Sequence, residues 1–459
     1  MKTIDFEQKQ HIHSIGIGGI SMSALAHILL ARGFQVTGSD SKESDLTKEL
    51  ASLGAVIYIG QSKDNISRDI DLIVYTAAIS KENPELVRAQ ELGIDAMTRA
   101  DFLGLLMKNY ETAICVSGTH GKTTTTSLIS QILIDAETDP TVMVGGILPA
   151  IGGNIRIGKS GNFITEACEY TNSFLSFFPT IEIILNVQAD HLDFFKDLDD
   201  IRASFKRYTR LLPDDGVLVI NGDIDNLSYF TDGLKCRILT FSLKGNGDFT
   251  AANISYNETA CAEFDVLYKG EKITHCQLML PGEHNIYNAL AAFACAYSLG
   301  LPLEKAADSI GSFTGVDRRF QIKGVVDGYT IIDDYAHHPD EIRATLTAAL
   351  NYPHKKLWVA FQPHTYTRTQ AFLDEFADAL SLADAVVLAE IYAAREVNTI
   401  GVSSEDIQQR ILKKGKEAYY FPTFEEIEQF LKKNCSNGDL LITMGAGDVY
   451  LVGENLLSK

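Results

Sequence analysis

The 459-residue chain is 46% hydrophobic and 22% charged, enough apolar material for about three cores at the usual domain length. Its net charge of -20 and pI near 5.0 exclude a nucleic-acid groove as the main surface, because neutralising a phosphate backbone needs clustered cations. No run reaches ~18 uninterrupted apolar residues, the first ten residues carry four charged side chains, and seven cysteines stand singly without a Cys-x-x-Cys pair, so the expectation is a cytoplasmic protein with reduced thiols and no membrane partner.

Residues 12–17 alternate like a strand and run into Gly16-Ile17-Gly18-Gly19-Ile20-Ser21. Residues 22–31 follow as an apolar helix and residues 34–37 as the next strand, closed by Asp40. This predicts a Rossmann-like unit, with glycines for a tight turn and close backbone approach, and an acidic residue about 20 positions on for a ribose. Taken alone, the turn suggests a dehydrogenase. Any parallel α/β unit also needs a tight first turn, and Ser21 stands where the third glycine would fall. Strands at 55–59 and 71–76, the latter running into Thr76-Ala77-Ala78, extend the sheet, and Pro84 starts a helix capped by Asn83. A first domain ends near Asn109.

At residues 113–117 an apolar, β-prone run breaks into Gly118-Thr119-His120-Gly121-Lys122-Thr123-Thr124, and a helix opens. The reading is strand, phosphate loop, helix. Glycines let the backbone approach an anion, N-H groups of the new helix point at it, and Lys122 adds a mobile positive charge. Thr123 offers a hydroxyl to Mg²⁺. Val116 occupies the place of the first glycine in the common Gly-x-x-x-x-Gly-Lys-Thr pattern, and Gly118 substitutes for it. Nucleoside triphosphate binding is the expectation. Two nucleotide-type loops in tandem are more than a dehydrogenase or a simple kinase requires.

Gly145-Gly146 and Gly152-Gly153-Asn154 read as turns or substrate-facing loops. A strand at 163–166 ends in Glu166-Ala167-Cys168-Glu169-Tyr170, and a buried strand at 181–187 leads into Asp190-His191-Leu192-Asp193. These strand ends fall on the rim where open α/β sheets bind ligands, so Glu166 and His191 are candidate metal ligands. Glu169 is either a solvated loop acid or a group that orients substrate, and Asp190 and Asp193 have no assigned role. A further strand begins at 217–221, and residues 245–280 shift toward antiparallel hairpins. Pro281-Gly282-Glu283-His284-Asn285-Ile286-Tyr287-Asn288 enters a long alanine-rich helix to Leu299. Asn285 could pair with an adenine edge or merely cap that helix. The connector Asp317-Arg318-Arg319-Phe320 brings two positive charges. From residue 330 a third doubly wound domain follows, with polar clusters at Asp333-Asp334-Tyr335-Ala336-His337-His338-Pro339, Gln362-Pro363-His364-Thr365-Tyr366-Thr367-Arg368 and Gly445-Ala446-Gly447-Asp448.

In this order the motifs resemble those of the Mur ligases across essentially the whole chain, and within that family the branch that adds alanine. The resemblance implies three α/β domains: residues 1–109, Rossmann-like, for a UDP-sugar; residues 110–316, a phosphate-loop ATPase with a mostly parallel sheet; and residues 317–459, Rossmann-like, for the amino acid. It implies ATP-dependent joining of L-alanine to the carboxylate of UDP-N-acetylmuramate, with Mg²⁺. A sister ligase adding another amino acid or a tripeptide is the alternative. The implied UDP-sugar contacts are Gly16, Gly18, Gly19, Ser39 and Asp40. ATP would meet Gly118, Thr119, His120, Gly121, Lys122, Thr123 and Thr124, with Asn285 and Asn288 at adenine, Arg319 at the phosphates and Asp334 nearby. Thr123, Glu166 and His191 would serve the metal, while Tyr335, His337 and Arg368 lie near alanine and the acyl centre. Cys168, Tyr170 and Thr171 depart from the acidic and serine residues common at those positions, and Thr365 replaces a frequent basic residue. Lys206 is not assigned the role of a carbamylated metal ligand.

Overall fold

In the computed structural model, which describes residues 4–458 except 77, 78, 193 and 395, three sheets succeed one another along the chain, each the centre of one α/β domain. The first has strands β1 (His11–Ile15), β2 (Gln35–Asp40), β3 (Val56–Ile59), β4 (Leu72–Tyr75) and β5 (Asp95–Thr98) in the order β3-β2-β1-β4-β5, all parallel. The order reverses at β1, so the glycine turn after β1 opens at the switch point where such sheets bind ligands. Asn83 caps the helix Pro84–Leu92 through its side chain, with Pro84 at its first turn. The expected Thr76-Ala77-Ala78 strand end and Asp193 lie partly or wholly outside the described residues.

The second sheet has ten strands: β6 (Thr112–Ser117), β7 (Thr141–Leu148), β8 (Gly153–Arg156), β9 (Asn162–Glu166), β10 (Ile181–Ile184), β11 (Val217–Asn221), β12 (Arg237–Ser242), β13 (Phe249–Tyr256), β14 (Cys261–Tyr268) and β15 (Glu271–Pro281), ordered β15-β14-β13-β12-β11-β10-β6-β9-β7-β8. Its centre is parallel, and β13, β14 and β15 form the antiparallel extension that the hairpin-like composition predicts. Ile114, Cys115 and Val116 of β6 have no solvent exposure, because helices cover both faces and a continuous apolar run is what such a strand needs. Helix Lys122–Asp135 packs beside helix His284–Ser298, whose alanines let the two axes approach. The strand expected at 181–187 stops at Ile184. Beyond it the backbone leaves the ladder because Asn186 is turned toward the phosphate loop.

The third sheet, with β16 (Gln321–Val326), β17 (Tyr329–Asp334), β18 (Leu357–Phe361), β19 (Ala385–Leu388), β20 (Glu417–Tyr420) and β21 (Leu440–Met444), runs β16-β17-β21-β18-β19-β20 and is parallel except for β16. Its polar loops follow the carboxyl ends of β17, β18 and β21, and those after β17 and β18 face the central domain. Among the described residues no helix is long and apolar enough to cross a membrane.

Candidate active site

The phosphate loop is held by the segment just past β10. Gly118 has φ +138° and Gly121 φ +84°, and a Cβ at Gly121 would sit 2.7 Å from Asn288 Oδ1, so the loop can pass between these neighbours only as glycine. The His120 N-H donates to Asn186 Oδ1 at 2.8 Å, while Asn186 Nδ2 donates to the His120 carbonyl at 3.1 Å. The Thr119 N-H donates to the Asn186 carbonyl at 3.2 Å. Asn186 thus fixes the loop, a role the sequence reading missed; its signal was a polar amide closing an apolar strand. Thr123 and Thr124 lie in the first turn of the following helix, both nearly buried.

Lys122 curls over its own loop. Its Nζ donates to the carbonyls of Gly118 and Thr119, the latter at 3.0 Å, and lies 3.2 Å from Glu169 Oε2. Burial opposes its charge, but Glu169 outweighs burial and holds the ammonium above the ordinary lysine range. Glu169 is therefore not a solvated loop acid: it is 2% exposed, because the chain after β9 folds inward beneath Lys122. Its Oε1 also stands 3.9 Å from His191 Nε2. Burial keeps the His191 imidazole below its ordinary pKa, hence neutral with a lone pair to offer. Glu166 faces the other way, its Oε1 accepting from the Gly145 N-H at 2.6 Å. Of the two glutamates, Glu169 is the one within 4 Å of His191, and Glu166 and His191 form no ion pair.

Across from the loop, the connector and the C-terminal domain supply a second wall. Arg318 is consumed internally, bonding Asp333 at 3.0 Å and the Gly445 carbonyl at 2.7 Å, so Arg319 is the cation left facing the cleft. Asp334 accepts from the Phe320 and Ala336 N-H groups, each at 2.8 Å, and burial raises its pKa to about 6. Tyr335 lies under both guanidiniums, with ring-to-Cζ distances of 4.9 and 5.3 Å. A cleft of about 330 Å³ opens between the walls, lined by His120, Gly121, Asn285, Asn288, Arg319 and Asp334 among others, a volume in the range of small-molecule sites. Asn285 does not cap its helix. Glu283 holds that position, and Asn285 Nδ2 donates to the Pro281 carbonyl at 2.8 Å while its Oδ1 accepts from Asn288 at 3.0 Å.

A second cleft of about 450 Å³ is lined by Tyr170, Asp190, His191, His364 and Arg368. Arg368 donates to Asp190 Oδ1 at 3.2 Å across the domain boundary. Burial works to raise the Asp190 carboxyl, but His191 and Arg368 outweigh it and hold the group below the usual carboxylate range. His337 Nδ1 lies 3.0 Å from the Tyr335 carbonyl, and burial lowers its pKa to about 4, which leaves Nε2 as an uncharged acceptor. The His120 and His338 rings stand 5.1 Å apart, and the Nε2 atoms of both are buried without a hydrogen-bond partner.

In the N-terminal domain the Gly16 and Ile17 N-H groups donate to the Ser39 carbonyl at 2.8 and 3.0 Å. Asp40 Oδ2 accepts from the Gly18 N-H at 2.9 Å. The Ser39 side chain is wholly buried and donates to Glu85 at 2.6 Å, so both residues shape the turn: Ser39 with its carbonyl, Asp40 with its carboxylate. Gly19 begins the helix Ile20–Ala31 as its N-cap.

A glycine turn at a sheet switch point, a phosphate loop, and a third α/β domain set against that loop define a multidomain nucleotide-dependent enzyme. The chain belongs to the Mur ligase family: residues 11–111 match the model described as Mur ligase family, catalytic domain, residues 116–296 the Mur ligase middle domain, and residues 318–447 the Mur ligase, glutamate ligase domain. It is 58% identical over 459 residues to a UDP-N-acetylmuramate--L-alanine ligase of Agathobacter rectalis, covering all of both chains, and 56% identical over 458 residues to one of Lachnospira eligens, again over the whole of each. The crystal structure of a UDP-N-acetylmuramate-alanine ligase from Thermotoga maritima superposes with a TM-score of 0.82 at 32% identity, covering 98% of each chain. The dehydrogenase suggested by the first glycine turn alone is thereby set aside.

Proposed function

We propose that this chain joins L-alanine to the carboxylate of UDP-N-acetylmuramate at the expense of ATP, releasing ADP and phosphate, in the synthesis of peptidoglycan precursors. Full-length identity of 56 to 58% to ligases of that name supports the reading. The observation that carries it to chemistry is the Arg368–Asp190 bond at 3.2 Å, which brings the C-terminal cleft beside His191 and within one residue of the rim holding Lys122 and Glu169. In this reading residues 1–109 hold the UDP-sugar, 110–316 the ATP and 317–459 the amino acid.

A carboxylate is a poor electrophile, so it must be activated before an amine can displace its oxygen. The muramyl carboxylate attacks the γ-phosphorus of ATP, ADP leaves, and an acyl phosphate results. Lys122, released from the loop carbonyls, neutralises charge on the transferred group, and Arg319 does so from the opposite wall. The neutral amine of alanine then attacks the acyl carbonyl, and the tetrahedral intermediate expels phosphate, which carries away the amine's proton. Arg368 would orient the alanine carboxylate and His337 Nε2 would accept from the attacking N-H. Asn285 and Asn288 would face adenine. Apposition of the third domain excludes water, which would otherwise hydrolyse the acyl phosphate.

Mg²⁺ is implied by the same reading, and the oxygen donors on this rim suit a hard cation: the Glu166 and Glu169 carboxylates and the Thr123 hydroxyl at a helix start, with Glu166 turned toward the Gly145 N-H in this structure and needing to rotate to share an ion with His191. Thr123, Glu166 and His191 are the proposed ligands, with Glu169 near enough to His191 to contribute. When bound, the ion supplies charge neutralisation at the ATP phosphates. The test is phosphate release with UDP-N-acetylmuramate, ATP and a panel of amino acids. Release that requires L-alanine is expected, and release independent of the amino acid would overturn the reading.

A further inference from the structure

Between the N-terminal and central domains lies a smaller cavity of about 120 Å³, lined by Ser21, Arg99, Gly145, Asn154, Glu166 and Cys168 among others. It joins the two chemical ends of the molecule. Ser21 belongs to the helix that the glycine turn opens, and Glu166 to the rim of the phosphate loop. The walls are fixed relative to each other: Asn154 Nδ2 donates to the Ile20 carbonyl at 3.0 Å, and Ser176 donates to Asp101 at 2.6 Å, tying the start of helix Arg99–Met107 to the central domain.

Arg99 opens that helix, and its guanidinium is the unusual member of the cavity. Among the described residues it makes no hydrogen bond, ion pair or cation-π contact, although Glu166 lines the same space. Burial pushes its pKa below the ordinary arginine value, and the nearby thiol does little to offset this. A guanidinium has five N-H donors in a planar fork, and placing it in a confined, partly desolvated site without an acceptor is costly. Such a group suits an incoming planar anion that accepts two parallel bonds.

We infer that Arg99 receives the carboxylate of the UDP-sugar and thereby selects the sugar acid over its neutral relatives. The inference rests on the proposed function and names the specificity element of its first substrate site. The cavity lies between the turn expected to bind diphosphate and the rim where the carboxylate must meet the γ-phosphoryl group. A sugar anchored by its diphosphate at Gly16 to Gly19 would direct a pendant acid into this space. Arg99 touches none of the loop atoms described above, so its role is to position the nucleophile and not to stabilise the leaving group. Bidentate contact also fixes the plane of the carboxylate, leaving an oxygen lone pair directed at phosphorus.

The test is equilibrium calorimetry on the full chain with two probes that share nucleotide and hexosamine, UDP-N-acetylmuramate and UDP-N-acetylglucosamine, the second lacking the acid. The wild-type protein should bind the first at least about tenfold more tightly, as a charge-assisted pair would give. Arg99→Gln should erase that difference while leaving UDP-N-acetylglucosamine affinity within about twofold, a control that also reports an intact fold. Arg99→Lys, which keeps the charge and loses the fork, should retain part of the preference. An undiminished preference in Arg99→Gln, or an equal loss for both sugars, would overturn the inference. A wild-type protein that binds neither sugar would overturn the proposed function and this inference together; one that binds the muramate with no preference over the neutral sugar would overturn this inference alone.

Discussion

Glu341 Oε1 of the C-terminal domain lies 3.2 Å from His120 Nδ1 in the phosphate loop of the central domain. The same carboxylate accepts from the His337 and His338 N-H groups at 3.1 and 3.3 Å and stands 3.9 Å from Arg319. Burial works against its charge, but His337, His120 and Arg319 outweigh it and hold the carboxyl well below the usual range. One acid therefore closes the helix Pro339–Leu350 as its capping-box residue and also touches the loop and the connector. Glu341→Gln preserves the capping geometry and removes the charge. We expect turnover to fall about tenfold or more, as loss of a charge-assisted contact would give, with KM for ATP rising and KM for the UDP-sugar unchanged. Steady-state kinetics with each substrate varied in turn checks this.

Lys122 is shared in this structure among two loop carbonyls and Glu169, and its proposed work is in phosphoryl transfer. Lys122→Ala should therefore lower turnover by at least ~100-fold, in the range found for removing one group that stabilises transition-state charge. UDP-sugar affinity should stay within about twofold, because the glycine turn is remote. Calorimetry beside phosphate-release kinetics separates the two. Near-normal turnover would mean the loop is structural.

The two glutamates of the 166–169 segment can be told apart by metal titration. Glu166→Gln should raise the Mg²⁺ concentration giving half-maximal turnover and reduce the maximum, with UDP-sugar binding kept. Glu169→Gln removes the counter-charge of Lys122 and should lower maximal turnover with a smaller metal shift. His191→Ala should resemble Glu166→Gln. A metal shift confined to Glu169→Gln would assign the site to Glu169, whose carboxylate already faces His191.

Asp334 gives a pH dependence with a definite sign. Its folded pKa of about 6 exceeds the unfolded carboxylate value of about 3.9, so between these values the folded state binds more protons than the unfolded one. This group makes the protein more stable as pH falls from 7 toward 4 and less stable as pH rises through about 6. The contribution is of order 3 kcal/mol at most, from a shift of about two pH units. Asp334→Asn should flatten the stability profile between pH 4 and 6 relative to wild type. Urea unfolding of both proteins across that interval checks it, and parallel profiles would show that Asp334 remains ionised.

Most of the architecture was readable because the central parallel strands, such as β6, β10, β18 and β21, are largely apolar runs ending in glycine or polar residues, and those ends must cluster on one rim. His191, Asn288 and Arg368 reach the two clefts because they follow such ends or lie in the first turns of the helices that follow, and Arg319 reaches the first from the connector. What the sequence concealed was orientation. Glu169 looked like a loop acid because nothing in its neighbours shows that the chain turns inward after Glu166. Ser39 looked available, yet strand alternation puts its side chain against Glu85. Asp190, Glu341 and Arg99 gain their partners or their setting only when separate domains come together, and Asn186 gains its partners from a distant loop of its own domain, which no local pattern encodes.

Oxygen-18 placed in the carboxylate of UDP-N-acetylmuramate tests carboxylate activation most directly. With ATP and L-alanine present, one labelled oxygen should pass to each inorganic phosphate released, as cleavage of an acyl phosphate at its carbonyl carbon requires. Unlabelled phosphate accompanying amide formation would contradict the acyl-phosphate route.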